Sequence, residues 1–95
     1  MAREVSDRLT RWVIRSFEDG RAELVLAELR ALDDIAVGGQ DVERIQACVV
    51  LPTGGDWASF LRRLALVNRD WRDALVAADL AQPDWPKRLT TQLGA

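Results

Sequence analysis

The dipeptide Asp-Trp occurs three times in the last 40 residues, at Asp56-Trp57, Asp70-Trp71 and Asp84-Trp85, fourteen residues apart each time. Each Trp is followed four residues later by a Leu: Leu61, Leu75 and Leu89. A carboxylate just before a helix accepts hydrogen bonds from free backbone N–H groups and meets the positive end of the helix dipole. Trp at the first helical position and Leu at the fifth then share a face. Caps and apolar pairs account for every shared residue, so the repeat reads as three helix starts rather than a triple ligand motif. Pro86 fits the first turn of the last segment, where a missing N–H costs little. A fourteen-residue period is too short for a two-helix solenoid unit.

The rest of the chain is also helical in pattern. Val5, Leu9, Trp12, Val13 and Phe17 recur at helical spacing and predict a helix over 4–18, capped near Ser6 and ended at Gly20. Ala22, Val25, Leu26, Leu29 and Leu32 predict a second over 21–34, closed by Gly38-Gly39. A third, over 41–51, is capped by Asp41 and turns Val42, Ile45, Cys48 and Val49 inward. Its end, "ACVVL", is β-rich, but no partner strand is apparent elsewhere. Pro52 and Gly54-Gly55 stop it. Ninety-five residues make one domain, 1–95, with a thin core. The predicted fold is all-α: a compact orthogonal bundle of five or six short helices, with the Trp residues of the Asp-Trp segments in the core.

Composition narrows the function. A net charge of -2 argues against non-specific nucleic-acid binding, which needs a basic surplus. The lone Cys48 cannot form an internal disulfide, no signal peptide is visible after Met1, and no apolar run spans a bilayer. A cytoplasmic location, with no membrane partner, is the expectation. There is no His and no Tyr, and Lys87 is the sole Lys. No Ser or Thr sits in a nucleophile motif. Cys48 falls at an inward position and reads as a small hydrophobe. The pairs Glu18-Asp19 and Asp33-Asp34 lie near helix ends, without metal-ligand spacing, and read as solvated surface. "LPTGGDW" lacks the Lys and spacing of a P-loop and reads as the turn leading into a helix. The chain is thus expected to be no enzyme, and to use no cofactor, metal or small-molecule ligand.

What remains is surface. Arg8, Arg11 and Arg15 each have an acidic residue four positions away, at Glu4, Asp7 and Asp19, and read as a salt-bridged face. Arg62 and Arg63 have none within three or four positions. Leu66 is placed opposite the Trp57–Leu61–Leu64 stripe, and Arg69 follows on its side. Arg62, Arg63, Leu66 and Arg69 are therefore the candidate partner-binding residues, because Arg is favoured at contact sites. Ile14 and Leu24 also fall off the inner faces. The expected function is a non-catalytic protein-interaction or regulatory module, of small-inhibitor or immunity type, binding another protein or itself as a homo-oligomer. The alternative is a nucleic-acid-binding helix-turn-helix-like pair using Arg62, Arg63, Arg69 and Arg72. The "GGDW…DWRDALVAADLA…DWP" portion resembles the C-terminal end of short bacterial proteins over less than half the chain, and brings no activity with it.

Overall fold

The computed structural model describes residues 4–33 and 37–94. Six α-helices and one 3-10 turn form among them, with no strand: α1 (Asp7–Ser16), α2 (Asp19–Arg30), α3 (Val42–Val50), the 3-10 turn (Leu51–Thr53), α4 (Trp57–Arg69), α5 (Trp71–Ala77) and α6 (Trp85–Leu93). The fold is the all-α class that the periodicity predicts.

The first helix is shorter than its pattern. Ser6 caps it by accepting the Leu9 N–H at 3.3 Å. It ends at Ser16 because Phe17 and Glu18 turn extended, with ψ of 153° and 152°. That turn drops the Phe17 ring into the core, edge-on to Trp12 and Phe60 with centroids 6.4 and 6.0 Å away. Gly20, expected to break the helix, lies instead in the first turn of α2. Ala22, Val25, Leu26 and Leu29 are buried along α2, and Leu32 beyond it, as the pattern requires. The predicted end of this helix at residue 34 lies outside the described residues. Gly38 and Gly39 break the chain with φ of 62° and 75°. Gly38 has a second reason to be glycine: a Cβ there would sit 2.1 Å from the Trp71 indole nitrogen.

Helix α3 is the hub. Asp41 caps it through the Arg44 N–H at 3.1 Å. Every residue from Ile45 to Val50 is buried, because α1, α4, α5 and α6 all pack on it. The β-rich run is helical here, since burial on all sides outweighs a propensity term of a few tenths of a kcal/mol per residue. Gln46 is enclosed with the apolar residues. Its Nε2 donates to the Glu4 and Leu29 carbonyls, at 3.1 and 3.3 Å, and ties both preceding segments to α3. Beyond the 3-10 turn, Gly55 takes φ 93°, and a Cβ there would sit 2.1 Å from the Ser16 carbonyl oxygen.

Two of the three Asp-Trp segments open as expected. Asp56 accepts the Ser59 N–H at 2.8 Å, and Asp70 accepts the Arg72 N–H at 3.1 Å. Asp84 does not cap α6; both its carboxylate oxygens take the Arg88 Nε, at 3.0 and 3.1 Å. Leu75 and Leu89 are buried. The three Trp rings are not core residues, which corrects the sequence expectation. Each is half-buried against the core, and each carries a guanidinium over its face: Arg21 over Trp57 at 4.5 Å, Arg72 over Trp71 and Arg44 over Trp85 at 5.0 Å. An indole is large enough to serve as a wall between core and solvent, with an arginine as its lid.

Candidate interaction surface

The surface is set by the rotation of α4. Phe60 and Val67 are buried in it and Leu64 packs beside them. Phe60 decides the orientation: its ring meets Phe17 at 6.0 Å and Trp57 at 5.5 Å. The inward line is therefore Phe60–Leu64–Val67, not Trp57–Leu61–Leu64. Turning the helix to suit Phe60 exposes Leu61 to 46% and swings Leu66 against the core.

The four predicted partner-binding residues are thereby split. Arg62 and Arg69 are exposed. Leu66 is half-buried and packed on the core, so it is no surface anchor. Arg63 is half-buried too, near enough to Cys48 for its charge to act on the thiol. The true outer ridge of α4 is Ala58, Leu61, Arg62, Ala65, Asn68 and Arg69, all exposed. Neither Arg62 nor Arg69 forms an ion pair among the described residues. The Trp–Leu spacing of the Asp-Trp segments puts Leu61 inside; a helical count that starts from Phe60 puts it on the ridge.

The arginines of α1 also behave differently from their spacing. Arg8 pairs with Glu43 of α3, not Glu4: Nη2 reaches Oε1 at 2.7 Å and Nε reaches Oε2 at 2.9 Å. The Ser6 hydroxyl donates to the same carboxylate at 2.5 Å, and Arg8 Nη1 donates to the Gly94 carbonyl at 3.0 Å. The hydrogen bonds from Arg8 hold the Glu43 carboxyl below its ordinary pKa against the opposing effect of burial, and Glu43 raises that of Arg8 in turn. This network joins α1, α3 and the end of α6. Arg11 and Arg15 form no ion pair with Asp7 and Asp19.

Opposite in character is an open cleft of about 340 Å³ between α1 and α2, lined by Ile14, Asp19, Ala22, Glu23 and Leu26. Ile14 is 57% exposed there. Asp19 and Glu23 form no ion pair among the described residues. A second cleft, of about 330 Å³, lies beside Trp71, between Arg44, Arg72, Leu75 and Val76.

Cys48 is buried, donates to the Ile45 carbonyl at 3.0 Å, and burial pushes its thiol up to about 12, so it is no thiolate nucleophile near neutral pH. The helix start after Gly54-Gly55 is already filled by the Asp56 carboxylate. Glu18, Asp19 and Asp33 are exposed, and Asp34 lies outside the described residues. Among the described residues no group of His, Cys, Asp or Glu converges as metal ligands, and no helix is long and apolar enough to cross a membrane. Comparison with protein-family models, with curated proteins and with solved structures finds no match to this chain.

Proposed function

We propose that this chain is a non-catalytic protein-interaction module, a small regulator or inhibitor, and that it docks through the outer ridge of α4. The observation that carries the reading is Leu61, 46% exposed in the middle of a ridge whose two arginines lack acidic partners. Unpaired guanidinium groups around an aliphatic side chain suit a contact surface better than a solvent face, because both gain from a complementary partner. The test is affinity capture from the host with wild type, Leu61→Asp and Arg62→Glu. A partner retained stoichiometrically by wild type and lost with both variants supports the reading. Capture indifferent to both sinks it. Leu66 is unsuited to this experiment, since a charge there lands against the core.

Nucleic-acid binding has one favouring observation. Arg62, Arg69 and Arg72 are all exposed on two helices joined by the single residue Asp70. Asp70 and Asp73 stand among them, and Arg72 lies over its own Trp71 ring. Phosphate contacts would make affinity fall steeply between about 50 and 200 mM salt. A filter-binding series over that range separates this reading from protein docking.

A further inference from the structure

We infer that the ridge of α4 docks into the α1–α2 cleft of a second copy of this chain. The inference rests on reading that ridge as a docking surface, and it names the partner.

Three properties of the two surfaces match. The first is shape. The ridge is the outer face of a helix, with Leu61 46% exposed on it, while the cleft between α1 and α2 is an open hollow of about 340 Å³. The second is polarity. The cleft offers Ile14, Ala22 and Leu26 as an apolar floor, and Leu61 is the large apolar side chain of the ridge, beside Ala58 and Ala65. The third is charge. Asp19 and Glu23 line the cleft, with no basic side chain lining it, and Arg62 stands beside Leu61 with no acidic residue on its ridge. All three charges are without ion pairs among the described residues. Seating Leu61 on Ile14 and Leu26 would bring Arg62 to the two carboxylates. Arg21, on the other flank of α2, is held over Trp57 of its own chain.

Charge also sets the pairing. Ridge against ridge would oppose arginine with arginine, and cleft against cleft would oppose carboxylate with carboxylate. Only ridge to cleft is complementary. Such a contact uses two different patches, so each copy can bind one neighbour at each, and assembly runs on until a ring closes. The test reaches concentrations at which a contact smaller than the roughly 1,200–2,000 Å² of a stable specific interface would still form.

Sedimentation velocity on the full chain tests this, at concentrations from about 10 µM to about 1 mM, the range suited to a weak contact. Wild type should grow past a dimer. Leu61→Asp removes the ridge and Ile14→Asp removes the cleft, and each variant alone should stay at the 10.6 kDa of one chain. Mixed in equal amounts they should form a dimer and nothing larger, since each retains the surface the other lacks. Both positions are largely exposed, and unchanged helical circular dichroism verifies the folds. In the same mixture, adding Arg62→Glu to the ridge-bearing chain should weaken the dimer about fivefold, and adding Glu23→Arg to its partner should restore it.

Wild type that remains at one chain's mass throughout overturns the inference, as does a mixture that never dimerises or a single variant that still assembles. A host partner still captured through Leu61 by a monomeric wild type would leave the docking surface standing and remove only the second copy. Loss of both results would remove both.

Discussion

Helices α3 and α4 are neighbours in sequence, separated by one 3-10 turn, yet they differ in kind. Six consecutive residues of α3 are buried, so it presents no open face; α4 buries Phe60 and Val67 and leaves a full ridge exposed. The difference follows from size. A chain of 95 residues can surround one helix, and the helices that surround it must each keep a side for solvent. The docking contact proposed above would therefore fall to the wall helices, of which α1, α4, α5 and α6 pack on α3. Size also explains why Cys48 and Gln46, the chemically distinctive residues of α3, serve only the interior.

The contrast breaks most sharply at adjacent positions. Phe60→Ala is expected to cost about 3–5 kcal/mol, because it empties the contact among Phe17, Trp57 and Phe60. Leu61→Ala, one residue along, should change stability by no more than about 0.5 kcal/mol. Urea unfolding of the pair measures both. Similar costs at the two sites would mean α4 is rotated as the Trp–Leu spacing suggested.

A smaller effect tests how α1 and α6 are fastened to the hub. Glu43→Gln weakens the pair with Arg8, whose side chains are 21% and 22% exposed, and should cost about 1–2 kcal/mol at pH 7. The Glu43 carboxyl is held below its ordinary value in the folded state, so its contribution is present above the unfolded pKa of about 4.3 and is lost as pH falls through the folded value. Wild type and Glu43→Gln should thus draw together in stability as pH falls from the unfolded value through the lower folded one. A constant gap from pH 7 to pH 3 would show that the titrating pair contributes nothing.

The pattern of apolar residues was enough to read the helical class, the breaks at Gly38-Gly39 and Gly54-Gly55, and the inner face of α2. It failed where burial is not one-sided. A helix enclosed by four others shows no polar face, so the spacing predicts α3 as a helix over 41–51 but gives no reason to place Gln46 inside. The α4 ridge was half legible. Arg62 and Arg63 stand out in the sequence for lacking acidic residues three or four positions away, but only Arg62 of the two lies on the ridge, and the Trp–Leu spacing puts Leu66 rather than Leu61 beside it. A helix carrying Trp57, Phe60, Leu61, Leu64, Leu66 and Val67 offers several apolar faces, and only the tertiary contact of Phe60 with Phe17 selects one. Likewise, local spacing offered Arg8 to Glu4, while the fold gave it Glu43, 35 residues away.

The finest comparison is among the three Asp-Trp openings, which look alike in sequence and differ in structure. Asp56 and Asp70 have extended backbones with ψ of 121° and 98°, which aim the carboxylate back at the helix start. Asp84 has ψ 13°, and Pro86 at the second helical position has no N–H to offer it. Its carboxylate turns to Arg88, which also pairs with Asp79 beyond the end of α5. Asp70→Ala should therefore cost about 1 kcal/mol, a fall of roughly 4–8 °C in Tm for a domain this size. Asp84→Ala loses only an exposed ion pair, so its smaller shift should vanish in high salt, where the Asp70 cap largely persists. Equal shifts for the two variants in 1 M salt would mean that all three carboxylates cap alike, and that the proline makes no difference.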